Sequence, residues 1–332
     1  MIVLLLGGNG LLGHNVLNQL LQQGHEVHAL LRNPAALHFD TFPNQHLLRI
    51  FKGSLLADDD LNQAAKGCEA IINCAGVTDM SLLKYSHYLP VNRDLCDRLI
   101  DLMKHHGINR LVHTSTANTI GYGTPERWAD EECAMQSPFA ESFYAQSKKE
   151  GEEKLQAAAK QHPDWHIIIV NPGFMIGAYD TKPSSGTLLL AGYRKPIMVA
   201  PKGGKSFIHV NDAATAIANA LTQGRHGERY LLTGENLSLR EFYHIQKQQC
   251  GYGQYILSVP NWLLAWAGCI GDALRKCGIQ TQLSTRNVRQ LMIGEYYDNQ
   301  LARTELEMPA TKIEKAIEDF FNWYLATTQD KR

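Results

Sequence analysis

The chain lacks long hydrophobic runs, an excess of one charge, and any cysteine or histidine pattern typical of a metal site. Its most apolar late stretch, residues 262–270, is broken by Gly271 and Asp272 and is too short to span a bilayer. Lys and Arg number 32 against 33 Asp and Glu, a net charge of −1, so we expect neither a nucleic acid nor a membrane as a partner. The seven cysteines include no Cys-x-x-Cys pair, which favours buried free thiols in a reducing cytoplasm over disulfides or a metal site.

What is present is typical of a globular enzyme. The first predicted strand starts at residue 2, so we expect no signal or transit segment and a cytoplasmic location. The 332 residues, 44% apolar and 20% charged, are enough for one large α/β domain and a smaller one.

A short apolar strand, residues 2–6, leads directly into three glycines at three-residue spacing, Gly7, Gly10 and Gly13. A helical pattern follows, and Gly24 stands where that helix would end. In such a turn the first glycine permits the sharp bend, the second lets backbone approach a pyrophosphate, and the third lets the helix pack close to the sheet. The sequence therefore predicts a dinucleotide-binding unit with the phosphates at the helix N-terminus.

Predicted strands and helices alternate up to residue 173, which indicates a doubly wound parallel sheet. Residues 206–210 and 229–232 are predicted as strands that return to this sheet, whereas residues 174–205 are predicted as a long loop. The rest is mostly helical. The predicted Rossmann-type α/β domain comprises residues 1–173 and about 206–235, and a smaller, mostly helical C-terminal substrate lid comprises about 174–205 and 236–330.

A tyrosine and a lysine stand one helical turn apart at Tyr144 and Lys148. A nearby ammonium favours the phenolate and would lower the tyrosine pKa from its usual value near 10, which suits acid–base chemistry. The same spacing recurs at Tyr243 and Lys247. That second pair lies far in sequence from the glycine turn, so we predict that it occupies a solvated helix face.

Three hydroxyl residues, Thr114, Ser115 and Thr116, end the predicted strand that precedes the Tyr144 helix. Because side chains alternate along a strand, Thr114 and Thr116 share one face and Ser115 points to the other. A hydroxyl of this cluster could hydrogen-bond a reacting substrate oxygen beside Tyr144.

Taken in order, these features resemble the extended short-chain dehydrogenases/reductases, in the dihydroflavonol 4-reductase-like branch of the NAD(P)-dependent epimerase/dehydratase family. The matching segments are the glycine triplet, Asn73-Cys74-Ala75-Gly76, the hydroxyl cluster, the Tyr144 and Lys148 pair, Asn171-Pro172-Gly173, His209-Val210-Asn211-Asp212 and Gly227-Glu228-Arg229-Tyr230. Two positions depart from the family pattern. Leu6 stands where a threonine is usual, and Ser54 replaces the aspartate of a Gly-Asp-Leu segment that contacts adenine.

The resemblance implies Tyr144 as general acid/base and Lys148 as the residue that binds the nicotinamide ribose and lowers the tyrosine pKa. It implies Thr116 as the hydroxyl on the substrate oxygen, with Ser115 as the alternative. The implied cofactor contacts are Gly7, Asn9, Gly10, Leu11, Leu12, Arg32, Ser54, Leu55, Cys74, Ala75, Gly76, Thr114, Tyr144, Lys148, Pro172, Gly173 and Phe174. The implied substrate contacts are Thr78, Ser115, Thr116, Asn118, Phe174 and Met175. A homodimer through the helices at residues 95–103 and 144–160 is also expected.

The residue after the second strand, Arg32, bears on the choice of cofactor. NAD-selective members carry an acidic residue in that region for the ribose 2′-hydroxyl. A guanidinium can instead contact a 2′-phosphate with two donors. We therefore expect NADP, with NAD as the alternative.

The expected activity is NADP-dependent reduction of a ketone or aldehyde in a small, largely apolar substrate. Apolar residues such as Ile197 and Met198 suit that substrate, while Trp262 and Trp266 are expected in the core of the lid. A nucleotide-sugar epimerase or dehydratase with tightly bound NAD(P) is the alternative, because it uses the same residues. A non-catalytic NADP-binding sensor is a third possibility, which the complete Thr116, Tyr144 and Lys148 set disfavours.

Overall fold

The computed structural model describes residues 1–37, 42–181, 184–281 and 283–329. Its main sheet has seven parallel strands, numbered here in chain order with those of the smaller sheets. They are β1 (Ile2–Leu6), β2 (Glu26–Leu31), β3 (Leu48–Lys52), β4 (Ala70–Asn73), β5 (Arg110–Thr114), β6 (His166–Pro172) and β10 (Arg229–Leu232). The spatial order is β10-β6-β5-β4-β1-β2-β3. The chain order reverses between β1 and β4, which is where open α/β sheets bind ligands.

Helices cover both faces of this sheet, as its nearly continuous apolar strands require. Val3 and Leu5 of β1 belong to one buried cluster and Leu4 and Leu6 to the other, because successive side chains point to opposite faces. The helices that pack on the first face are α1 (Leu11–Gln22) and α7 (Val210–Asn219). Those on the second face are α2 (Asp58–Ala65), α4 (Asp94–His106) and α5 (Phe143–Gln161), with the short α3 (Leu89–Asn92) before α4.

Two smaller sheets lie outside the main one. The four-stranded sheet contains β7 (Phe174–Ile176), β9 (Gly204–His209), β11 (Glu235–Ser238) and β13 (Gly294–Glu295), and the two-stranded sheet contains β8 (Ile197–Ala200) and β12 (Tyr255–Ser258). The prediction that residues 206–210 return to the main sheet is therefore wrong. Their strand β9 pairs instead with β7, which begins two residues after the end of β6, and with the antiparallel β11. Residues 229–232 do return to it, beside β6.

The segment predicted as a loop, residues 174–205, carries regular structure in β7, β8 and a helix, because its short apolar runs pair with the later strands β9 and β12. The remaining helices are α6 (Gly186–Gly192), α8 (Leu239–Gln249), α9 (Asn261–Lys276), α10 (Thr285–Gln290), α11 (Gln300–Glu305) and α12 (Ile313–Gln329). Phe207, Phe242 and Phe320 form the centre of a third buried cluster, in which α8 and α12 pack on β9. The division of the chain into two domains stays a prediction.

The tryptophans of α9 lie outside that cluster. Trp262 is 66% and Trp266 69% exposed, so the prediction of a place in the lid core is wrong. The helix turns its small residues inward: a side chain at Gly268 would collide with Thr285, and one at Gly271 with the backbone of Leu283.

The cysteines were expected to be buried, but only two of the seven are, while three are partly buried and two are exposed. All seven are free thiols, with Cys68 and Cys96 buried. Cys269 and Cys277, in and just after α9, are exposed because they lie on its outward side.

Candidate active site

The glycine turn after β1 has the geometry that a dinucleotide requires. Gly7 has φ +81°, and a Cβ there would lie 2.7 Å from the backbone of Cys74 and Ala75. A Cβ on Gly13 would lie 2.1 Å from the Gly7 carbonyl oxygen, so the first turn of α1, which contains Leu11 and Leu12, packs directly on the loop. A Cβ on Gly10 would meet only that oxygen, at 3.5 Å. The free N–H groups of α1 therefore open onto space that a pyrophosphate can enter.

The far side of this turn carries the residues expected to select the adenine ribose. Arg32 is exposed at the end of β2, and it makes no ion pair with any residue in the described ranges. The Asn9 amide donates a 3.4 Å hydrogen bond to the carbonyl of Asn33, next to Arg32. At Ser54 the missing aspartate has a partial substitute, since Asp60 accepts a 2.7 Å hydrogen bond from the Ser54 backbone N–H. Asp60 was not predicted, because it is six residues beyond the motif.

Tyr144, Lys148 and Thr116 meet at the carboxyl end of β5. The Thr116 hydroxyl hydrogen-bonds the Tyr144 hydroxyl. The Lys148 ammonium donates to the carbonyl oxygens of Thr114 at 2.8 Å and Ala75 at 3.4 Å. It also lies 3.0 Å from where a Cβ on Gly76 would be, so that glycine leaves room for the lysine. The three residues predicted as catalytic thus form one cluster that reaches the Cys74–Gly76 segment.

Burial shifts the pKa values of both Tyr144 and Lys148. Burial raises the pKa of Tyr144, and the hydrogen bond with Thr116 opposes that rise. Burial lowers the pKa of Lys148 to about 8. The lowering of the tyrosine pKa by Lys148 stays a prediction, and in this structure the ammonium is directed at two backbone carbonyls.

A buried carboxylate that the sequence analysis missed fixes the segment after β5. Glu152 is fully buried and accepts hydrogen bonds from the Thr119 hydroxyl at 2.5 Å and the Asn171 amide at 2.7 Å. The same amide donates to the Thr116 carbonyl at 3.1 Å. Glu152 follows Lys148 by four residues, so helical spacing from the Tyr144 and Lys148 pair was the signal that could have identified it.

Asn92, at the end of α3, is a second positioning residue that was not predicted. It is fully buried, and its side-chain amide donates to the Val77 carbonyl and to the Ser147 hydroxyl, both at 3.0 Å. Its side-chain carbonyl oxygen accepts from the Val77 N–H at 2.8 Å. It thereby ties the segment after β4 to the catalytic helix α5. A Cβ on Gly151 would lie 2.4 Å from the backbone carbonyl oxygen of Asn92, so α3 and α5 are in close contact. A lone asparagine gives no sequence signal for this role.

A small cavity adjoins Tyr144. Its lining residues are Met80, Leu82, Tyr88, Ser142, Phe143, Tyr144, Arg275, Arg286 and Asn287. The Arg286 guanidinium stacks 4.2 Å from the Phe143 ring centroid. Burial and the neighbouring Arg275 lower the pKa of Arg286. Among the described residues, neither arginine has a carboxylate within ion-pair distance, although the more distant Glu141 and Asp272 favour the charged form of Arg286.

The other predicted substrate contacts are placed less uniformly. Thr78 is exposed after β4, and Asn118 is partly buried with its N–H donating to the Thr116 hydroxyl at 3.3 Å. Ser115 is buried, and within the described ranges its hydroxyl has no hydrogen-bond partner. Met175 packs against the first core cluster.

Phe174 lies where β6 passes into the smaller sheet, next to Pro172 and Gly173. A Cβ on Gly173 would lie 2.8 Å from the Ser206 carbonyl oxygen. The Phe174 ring contacts Phe207, and the ammonium of Lys205 lies 5.5 Å from its centroid. Lys205 in turn forms an ion pair with Glu295, and both side chains are largely buried.

The second tyrosine–lysine pair does not occupy a solvated face. Tyr243 is 1% exposed and donates a 3.2 Å hydrogen bond to the Leu188 carbonyl, and Lys247 donates to the Gln254 carbonyl at 3.2 Å. The prediction is wrong because α8 turns this side toward α6, whose Gly192 leaves space for the tyrosine ring.

The switch point, the glycine turn and the Thr116–Tyr144–Lys148 cluster define an NAD(P)-dependent enzyme of the extended short-chain dehydrogenase/reductase type. A model of the NAD-dependent epimerase/dehydratase family matches residues 3–233, and the chain belongs to that family.

Two relatives and one solved structure show the range of similarity. A Synechocystis protein that carries the provisional name dihydroflavonol 4-reductase is 30% identical over 331 residues, covering 96% of this chain and 93% of the relative. Sterol demethylase protein B of Methylococcus capsulatus is 25% identical over 98% of each chain. The crystal structure of gox2253 superposes with a TM-score of 0.83 at 22% identity over 98% of each chain, a likeness of fold.

Proposed function

We propose that the protein is an NADPH-dependent reductase of a ketone or aldehyde group in a small, largely apolar substrate. The observation that carries this proposal is the cluster of Thr116, Tyr144 and Lys148 at the carboxyl end of β5, next to a small cavity lined by both apolar and charged side chains. Tyr144 donates a proton to the carbonyl oxygen, and Thr116 holds that oxygen by a hydrogen bond. Lys148 binds the ribose hydroxyls beside Gly76. NADPH, when bound, supplies the hydride that is added to the carbonyl carbon.

The residues that line the cavity also indicate that the substrate carries one polar group. Met80, Leu82 and Phe143 provide apolar contact area. Arg275 already donates to the carbonyls of Met80 and Leu82, which leaves Arg286 as the cation able to bind a new partner. The substrate would therefore carry an electronegative group near the reacting carbon, held by Arg286.

The proposed preference for NADPH depends on Arg32. Its exposed guanidinium lies at the end of β2, beside the loop that Asn9 contacts. A 2′-phosphate would receive two charge-assisted hydrogen bonds there, whereas a 2′-hydroxyl gains little from a cation.

A fluorescence titration of NADPH against NADH tests the cofactor proposal. Arg32→Ala should weaken NADPH binding about 10-fold and change NADH binding less than about 2-fold. Arg303→Ala, at an exposed arginine of α11, is the matched control and should leave both affinities unchanged. Tighter binding of NADH to the wild type would reverse the assignment.

The nucleotide-sugar alternative requires unpaired cations for a diphosphate. Lys205, the cation beside Phe174, is neutralised by Glu295, which argues against a diphosphate at that position, whereas Arg286 beside the cavity has no ion pair among the described residues. A panel of carbonyl compounds and of UDP- and dTDP-sugars separates the two. Turnover of carbonyls with NADPH supports the proposal, whereas copurifying cofactor with thermal stabilisation by the sugars supports an epimerase or dehydratase. NADPH binding without turnover of any compound would indicate a sensor. The cytoplasmic location and the homodimer stay predictions.

A further inference from the structure

The surface formed by α9 and the two-stranded sheet exposes an unusual amount of apolar side chain. On α9 the residues Trp262, Leu263, Trp266, Ile270 and Leu274 are all exposed. On the adjoining strands, Ile197 pairs with Tyr255 and Val199 with Leu257, and these four side chains are also exposed. We call these nine residues the α9 face. Single exposed apolar residues are ordinary, but a cluster of this size marks a binding surface.

The orientation of α9 is the reverse of that expected for a helix on a globular domain. Its inner side carries Gly268 and Gly271, which allow close approach to residues 283–285. Asp272, also on that side, accepts a 3.1 Å hydrogen bond from the Thr285 N–H. The inner side is therefore small and polar, and the large apolar side chains point outward. Packing within the chain fixes this arrangement and leaves the tryptophans without partners among the described residues.

The chain segments that form the α9 face are mainly basic. Residues 193–203 and 255–279, which contain the face, carry four exposed basic residues (Arg194, Lys195, Lys202 and Lys276), a fifth, Arg275, that is turned to the Met80 and Leu82 carbonyls, and one acidic residue, Asp272. The chain as a whole has a net charge of −1, so the basic residues are concentrated here. This uneven distribution was not visible in the overall charge balance, from which we expected no membrane partner.

We propose that the α9 face binds the surface of an anionic phospholipid bilayer, with α9 lying in the plane of the interface. Tryptophan and leucine on the lipid side with lysine and arginine at the border are the composition of interfacial helices. Every helix in the described part of the chain is too short or too polar to cross a bilayer, so the association is peripheral. A second copy of the chain fits less well, because a symmetric pairing of two basic borders would bring like charges together.

The position of α9 also connects the face to the cavity. Arg275, near the end of α9, donates to the carbonyls of Met80 and Leu82, which line the cavity beside Tyr144. If the proposed reductase function holds, the helix that binds the bilayer also contributes a residue to the substrate cavity. Bilayer binding itself does not depend on that function.

The test is sedimentation of the full-length protein with vesicles of phosphatidylcholine alone or mixed with phosphatidylglycerol. We expect binding to the anionic vesicles, little binding to the neutral ones, and at least a 10-fold loss when salt is raised from about 0.1 M to about 0.5 M. A blue shift of tryptophan fluorescence should accompany binding. No sedimentation with anionic vesicles, or equal sedimentation with both kinds, would overturn the proposal.

Variants on the face locate the binding surface. The double variant Trp262→Ala with Trp266→Ala should weaken vesicle binding at least about 10-fold without lowering the melting temperature, because both side chains are exposed. Trp128→Ala, at a 54% exposed tryptophan between β5 and α5, is the matched control and should bind normally. Lys195→Gln and Lys276→Gln should each cost about 5-fold. Unchanged vesicle binding by the double tryptophan variant, or self-association that this variant abolishes, would refute the bilayer as occupant.

Discussion

Tyr144 and Tyr243 each begin a Tyr-x-x-x-Lys pair on a helix, and in each pair the lysine donates to backbone carbonyls. Their surroundings differ. Tyr144 faces a cavity at the sheet edge and hydrogen-bonds the Thr116 hydroxyl. Tyr243 lies in the lid core and donates to a backbone carbonyl. Identical spacing thus produces a candidate catalytic site in one helix and a packing contact in the other.

The electrostatics of the two tyrosines follow the same division. Burial raises the pKa of both. Only Tyr144 has a hydrogen bond that opposes this rise, because the Thr116 hydroxyl can donate to a phenolate. The carbonyl that accepts from Tyr243 favours the protonated phenol instead. A hydroxyl partner at a strand end therefore distinguishes the acid–base candidate better than the lysine does.

The largest effect should come from exchanging the two tyrosines for phenylalanine. Tyr144→Phe removes the proton donor and should lower kcat about 1,000-fold, while NADPH affinity changes less than about 2-fold. Tyr243→Phe removes one hydrogen bond in the lid and should leave kcat within about 2-fold. Steady-state rates with a carbonyl substrate and cofactor titrations measure both. Near-normal turnover by Tyr144→Phe would remove it from the mechanism.

Local patterns in the sequence were sufficient to predict the glycine turn after β1 and the helix that carries Tyr144. Gly7, Gly10 and Gly13 act within one turn, and their roles follow from backbone space that only glycine leaves. The Tyr144 and Lys148 pair was identified because helical spacing and the preceding strand both lie within a short stretch of chain.

What could not be predicted depends on contacts distant in sequence. The burial of Tyr243 requires α6, and the outward orientation of Trp262 requires Gly268 and Gly271 to pack on residues after α9. The place of β9 in the smaller sheet depends on its pairing with β7 and β11. A single sequence gives apolar periodicity, but it does not show which neighbour a face will meet.

A smaller effect is expected from the hydroxyl that distinguishes the two tyrosines. Thr116→Val should lower kcat about 100-fold, because the substrate oxygen and the phenolate both lose a donor. Thr116→Ser keeps the hydroxyl and should restore most of that loss. If Ser115→Ala lowered kcat while Thr116→Val did not, Ser115 would be the hydroxyl that acts on the substrate.

The smallest effect is expected in the pH dependence of folding stability, which can be compared for variants of Lys148 and Lys247. The Lys148 pKa is lowered by burial from 10.5 to about 8. The unfolded chain therefore holds a proton that the folded chain releases between those values, and stability rises with pH in that window. Lys148→Met lacks this contribution. Its stability relative to the wild type should fall by about 2 kcal/mol between about pH 7 and about pH 9.5.

Urea unfolding without added cofactor measures this difference, and the hydrogen bonds from Lys148 to Thr114 and Ala75 do not confound it. Their loss shifts the variant's stability by an amount that does not depend on pH, whereas the ionisation of Lys148 changes the slope. Lys247→Met removes the lysine of the Tyr243 pair. It shows how much the slope of stability against pH changes when a partly buried lysine outside the candidate active site is lost. Equal slopes in the two variants would mean that the Lys148 ammonium is no more costly to bury than its counterpart in the lid.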